Sequence, residues 1–245
     1  MRLLAMRWAV VGSAAVVLMV SGCAQTSRAR GVERTGFMGA DYALLKPGKE
    51  RQAQLVYLRP NVDWARYRNV LLDPVTVWEG RESSDHGISA ADKQTLVNYF
   101  YAVVGEALKN RGFNLVNSLQ LDTLRVKVAI TKAHEANVTL NVISTVVPLL
   151  HAASAVDRLA TGKPAFVGEA QVEVKVNDAV GGELLAAGID HRVGGKTLDA
   201  STLKSWGDVE AMMRLWADHG SFNLCRMQHR TDCVAPAGSQ PEHSA

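Results

Sequence analysis

The sequence lacks an apolar run long enough to remain in a bilayer as a span. Trp8 to Val20, near the start, is about 13 residues, short of the roughly 18 to 20 that a spanning helix needs. A surplus of charge is missing too. Lys and Arg number 27 against 24 Asp and Glu, and leaving out Arg2 and Arg7 brings the basic count to 25. No Lys/Arg cluster stands out, which removes the electrostatic case for nucleic acid or an anionic lipid surface as partner. Cysteine is scarce, at three in 245 residues, and no second Cys/His pair of zinc-binding spacing lies near Cys225 and Cys233. Neither a metal nor a cofactor is therefore expected.

Catalytic patterns are equally thin. Ser201-Thr202-Leu203-Lys204 has the serine/lysine spacing of penicillin-interacting enzymes, but no Ser-Asp-Asn or Lys-Thr-Gly follows, and one such match arises by chance in a chain of this length. Gly194-Gly195-Lys196-Thr197 resembles the end of a phosphate-binding loop, yet the first glycine of that pattern falls on Asp190, whose charge would repel phosphate. Asp-His pairs occur at Asp85-His86, Asp190-His191 and Asp218-His219. Adjacent side chains diverge on strands and helices alike, so these read as solvated surface pairs. No catalytic residue is assigned, and the chain is expected not to be an enzyme.

What the chain does carry begins at its N-terminus. Arg2 and Arg7, the apolar run and Val20-Ser21-Gly22-Cys23 form the three parts of an export signal. The last four residues resemble the lipobox of bacterial lipoproteins; the alternative is an ordinary secretory signal that leaves Cys23 a plain thiol or a disulfide partner. The resemblance implies removal of 1–22, a diacylglyceryl group on the Cys23 sulfur and a third acyl chain, such as palmitate, on its new amino terminus. Two or more chains anchor stably where one does not. Ala24 stands where aspartate would be the usual inner-membrane retention signal, so the resemblance favours the outer membrane, on its periplasmic side. In that oxidising compartment Cys225 and Cys233, eight residues apart, are expected to form a disulfide, with two free thiols on a frayed terminus as the alternative.

Residues 23–36 are small and polar with scattered arginines and read as a flexible tether. Gln54 to Leu58 and Asn69 to Trp78 predict strands, the second at an edge or bulge because of Pro74. Ser89 to Arg111 predicts an amphipathic helix, with Leu96, Phe100, Val103, Val104, Ala107 and Leu108 recurring at three and four. Ser89 and Asp92 form its capping box and Gly112 its stop. Period-two alternation marks Leu124 to Thr131 and again Phe166 to Asn177, where Glu169, Gln171, Glu173, Lys175 and Asn177 are expected on a wetted face. Gly181-Gly182 turns the chain into an antiparallel return over Leu184 to Val193. A last helix is expected over Ser205 to Phe222, with Val209, Met212, Met213 and Trp216 on its core stripe and Ser205/Asp208 as its capping pair. Val138 to Ala160, apolar and containing Pro148, is either a core helix or a partner-facing or membrane-facing insertion. The predicted class is α+β: a mainly antiparallel sheet with two amphipathic helices packed on one face, a two-layer sandwich. Residues 37–225 are expected to form its one domain, with a tail over 226–245 that is disordered beyond Cys233.

Gly36-Phe37-Met38-Gly39-Ala40-Asp41-Tyr42 with Leu45 and Pro47-Gly48, then Tyr67 and Asp73-Pro74-Val75, then Glu173 to Ala187 with Asp178, Gly182, Glu183 and Leu185, resemble a proteobacterial lipoprotein family catalogued as a domain of unknown function. The resemblance runs from about Gly36 to Leu224 and brings no activity with it. A lipid-anchored component that binds or scaffolds another envelope protein is the leading expectation. The second is a transport accessory that carries a lipid or other apolar ligand. Oligomeric state is not readable from the sequence.

Overall fold

A computed structural model describes residues 26–49, 52–78, 88–134, 168–194 and 206–236. Their strands are β1 (Ser27–Arg28), β2 (Lys46–Pro47), β3 (Leu55–Leu58), β4 (Asn69–Leu72), β5 (Thr76–Val77), β6 (Asn114–Leu115), β7 (Thr123–His134), β8 (Glu169–Asp178) and β9 (Leu184–Val193), and their α-helices are α1 (Ala90–Asn110) and α2 (Gly207–Met227). The strands make one sheet in the order β2-β3-β9-β8-β7-β4-β6, with β1 added to β9 and β5 to β7. The class is α+β, as predicted.

The long hairpin β8–β9 is the centre of the sheet. Its turn is held by the Asp178 carboxylate, which accepts from the amides of Val180 at 3.0 Å and Gly181 at 2.6 Å, while Gly182 takes a φ of +70° that side chains disfavour. Those amides hold the Asp178 carboxyl below the usual carboxylate range, and Tyr67 Oη donates to it at 2.8 Å. β7 pairs antiparallel with β8 and carries a bulge between Ile130 and Lys132.

The second predicted strand arrives as two pieces. β4 and β5 both lie parallel to β7, opposite Thr123–Val126 and Ala129–Ile130, and part at Asp73-Pro74-Val75, where proline has no N–H for the ladder.

Both helices lie on one face. Leu96, Phe100 and Leu108 of α1 and Val209, Met212, Met213 and Leu224 of α2 share one core with Val126, Val128, Ile130, Val172 and Val176 of the sheet. The start of α1 is as predicted: Ser89 Oγ accepts from the Asp92 amide at 3.1 Å, and Gly112 follows the helix at φ +74°. The start of α2 corrects the expected Ser205/Asp208 pair. Ser205 lies outside the described residues, Trp206 is the N-cap without a side-chain hydrogen bond, and Asp208 faces inward, accepting from the Gly168 amide at 2.9 Å.

The helix also runs past Phe222 to Met227, so Cys225 is a helical residue. It is bonded to Cys233, with 5.8 Å between the Cα atoms, which folds residues 228–233 back onto the domain. Closing so short a loop contributes about 2.5 kcal/mol in the chain-entropy view.

A second correction concerns the sheet's other face. Residues 26–47 cross it: β1 pairs with β9, Glu33 bonds Gln171 in both directions, and Met38 packs on Ala187 and Ile189. Glu169, Gln171 and Glu173, expected in water, are buried there. From Thr26 onward the expected tether is therefore a strap docked on the sheet.

Candidate functional site

Small residues decide where the helix layer fails to close on the sheet. Ala186 and Gly188 of β9 and Ala217 and Gly220 of α2 leave space that bulkier side chains would occupy, and a cavity of about 530 Å³ runs between α2 and the β3–β9–β8 part of the sheet. Val128, Val172, Val174 and Val176 line it from the sheet, Phe100, Val104 and Leu108 from α1, and Trp216, Leu224 and Met227 from α2. The volume falls within the roughly 300 to 1,000 Å³ of ligand pockets. By the ratio of a ~150 Å³ cavity that takes the six carbons of benzene, it holds roughly 20 non-hydrogen atoms.

One end of the cavity is polar. Asp190, on β9, points to the helix side and accepts from Trp216 Nε1 at 2.7 Å, from Arg192 Nε at 2.7 Å and from the Gln54 amide at 3.1 Å. Arg28 Nε, on β1, stands 4.0 Å away. A single carboxylate thus joins β1, β3's leading edge, β9 and α2 at the cavity wall. Phe100 packs against the Trp216 ring at 6.1 Å and holds it over this end.

The opposite face of the sheet holds a second polar group, beneath the strap. Tyr42 Oη donates to Glu173 at 2.8 Å and Thr35 Oγ1 does so at 2.9 Å. Burial pushes the Glu173 carboxyl up, against the lowering effect of these two donors, and the Tyr42 phenol is raised by burial and by Glu173. Nearby, burial works to lower the Lys132 ammonium, but Glu33 at 2.6 Å and Glu169 at 3.6 Å outweigh it and the net shift is upward. His191 Nδ1 contacts the Gly31 carbonyl at 2.8 Å, and its Nε2 lies 3.7 Å from Glu169. The group is a polar seam between strap and sheet.

The residues singled out in the sequence scatter. Asp190 and His191 do diverge, one to each face, but both are buried, contrary to the expected surface pair, because helix and strap cover the two faces. Asp218 pairs with Arg111 at 3.3 Å, whereas His219 lines the cavity. Cys225 and Cys233 are bonded to each other, which takes both sulfurs out of the one grouping of metal-ligand type among the described residues, with Asp232. Cys23, Asp85-His86, Val138 to Ala160, Ser201 and Lys204 lie outside the described residues. Among the described residues no helix is long and apolar enough to cross a membrane. Sequence reasoning missed the cavity altogether; the small residues on its walls were the available signal.

Comparison with known proteins adds a family and a fold likeness. The sequence model of a family described as "Protein of unknown function (DUF3313)" matches residues 33–219. No curated protein matches by sequence. Two structures of the PelC dodecamer from Paraburkholderia phytofirmans, one carrying a point substitution, are 11% and 10% identical. They cover 67% of this chain and 93% and 94% of their own, with TM-scores of 0.36 and 0.35. A neuraminyllactose-binding hemagglutinin homolog from Helicobacter pylori is 7% identical and covers 66% of this chain and 82% of its own, with a TM-score of 0.30.

Proposed function

This chain belongs to the DUF3313 family of proteins of unknown function, and from that premise we propose that it is a non-catalytic binding domain, lipid-anchored through Cys23 on the periplasmic side of the outer membrane, that takes an apolar ligand between α2 and the sheet. The observation that carries this reading is the cavity of about 530 Å³ walled by valines, Phe100, Leu108 and Leu224. Each methylene buried there contributes about 0.8 kcal/mol. The polar face of the sheet, by contrast, is covered by residues 26–47. A domain that carries a ligand between envelope components fits what is left open.

Two measurements test the two halves of the proposal. For the cavity, native mass spectrometry of the full chain taken from membranes is expected to show a non-covalent apolar adduct. Val174→Phe, whose ring fills the space opposite Gly188, is expected to reduce that adduct at least tenfold in a chain that still folds. A wild-type chain without adduct, or a variant that keeps it, overturns the ligand reading. For the anchor, Cys23→Ala is expected to move the exported chain from the membrane fraction to the soluble periplasmic fraction. A variant that is processed and stays in the membrane overturns the lipoprotein reading.

A further inference from the structure

The walls of the cavity define a chain, and the charges at its polar end define a head. Among the described residues Asp190 is the sole acidic one on the walls, while Arg192 and Arg226 both reach them. At the polar end the balance is explicit. The Asp190 carboxylate, which can accept about four hydrogen bonds, has donors in Arg192, Trp216 and the Gln54 amide, with Arg28 beside them. Two of these groups are cations and two are neutral, so one negative charge faces two positive ones. The remaining partners of the guanidiniums do not change that sum. Arg192 Nη1 donates to the Thr26 hydroxyl, and Arg28 donates to the Lys49 and Gln52 carbonyls, all neutral acceptors.

The Arg192 side chain is only 13% exposed, and water does little to screen a charge held there. The Arg28 side chain, the second cation beside the Asp190–Arg192 pair, is 34% exposed, so the excess positive charge at the end of the apolar space is only partly screened, and that end is a site for an anion with an apolar tail. A guanidinium meets a carboxylate edge to edge through two parallel N–H donors. Space sets the rest: roughly 20 non-hydrogen atoms admit one long acyl chain with its carboxylate and leave nothing for a second chain or a glycerophosphate. We infer that the cavity's ligand is a single long-chain carboxylate, its head against Arg192 at the Asp190 end and its tail along α2 towards Met227. This assignment rests on the reading of the cavity as a ligand site.

The test compares two photoreactive probes that differ only in the head, palmitic acid and hexadecanol with a diazirine at the tail, offered to the full chain in lipid nanodiscs. Both are expected to label peptides of α2 and β3, the acid about tenfold or more strongly. Arg192→Gln is expected to bring the acid-to-alcohol labelling ratio down to about one, a ratio that a general loss of the cavity would not produce while labelling by both probes persists. Equal labelling by acid and alcohol in the wild type, or an acid preference that survives Arg192→Gln, overturns the carboxylate assignment while the apolar site stands. Labelling by neither probe overturns the site itself.

Discussion

Asp190→Asn is expected to lower folding stability by about 3 to 5 kcal/mol, the usual result of removing one partner of a buried charge pair and stranding the other. The carboxylate is nearly inaccessible, and four separate elements converge on it. Asparagine keeps the volume but loses the charge, and its amide can offer only one oxygen to donors that surround both positions. Whichever way it turns, an N–H of the amide meets Arg192, Trp216 Nε1 or the Gln54 amide head on. The loss comes from the stranded guanidinium more than from the vanished hydrogen bonds, so Asp190→Asn with Arg192→Gln is expected to be more stable than Asp190→Asn alone. Urea unfolding of both variants measures this. A single variant within 1 kcal/mol of the wild type would mean that the four elements are held together by something other than Asp190.

The same residue shows how far local patterns reach. On the strand it reads as polar, and period-two alternation places it on the side of Val172 and Ala186. Nothing in the pattern distinguishes a polar residue in water from one buried against its partners, since those partners come from Arg28, Gln54 and Trp216, far away in the chain. Gln171 and Glu173 read as solvated for the same reason: the strap that covers them is 138 and 131 to 138 residues away along the chain. Features carried by neighbours in sequence were readable. The Ser89/Asp92 cap, the Gly112 stop and the turn at Gly182 each depend on residues within one turn of each other. The direction of β4 and β5 was not readable, because a short apolar strand looks the same whether it runs parallel or antiparallel to its neighbour. The cavity lay further out of reach still. A void is made by what several elements fail to fill, and Gly188, Ala217 and Gly220 are unremarkable one at a time.

Gly194→Ala adds a single methyl group and is expected to cost about 2 to 4 kcal/mol, the sum of overpacking and of a disturbed buried acceptor. The backbone is not the reason. Gly194 does not occupy the left-handed region, and alanine at such a position would otherwise be mildly stabilising through the unfolded chain. The obstacle is the Asp208 carboxylate, whose oxygens and Cγ all lie well inside van der Waals contact of the place where the new Cβ would go. That carboxylate cannot simply swing away: Asp208 is 1% exposed, sits in the first turn of α2, and accepts from the Gly168 amide at 2.9 Å. Displacing it leaves the Gly168 N–H and a carboxylate without their bond in the interior. Gly194 in turn donates to the Gly168 carbonyl at 2.8 Å, so the strand end and the helix start would be disturbed together. Gly194→Ala combined with Asp208→Ala is expected to be no less stable than Asp208→Ala alone, because the methyl then has room; thermal unfolding of the three variants measures the coupling. A Gly194→Ala chain as stable as the wild type would show that the carboxylate moves freely and that the close approach has no energetic weight. A glycine that looked in the sequence like the end of a phosphate loop is thus accounted for by a negative charge the chain supplies itself, from the first turn of the helix that follows.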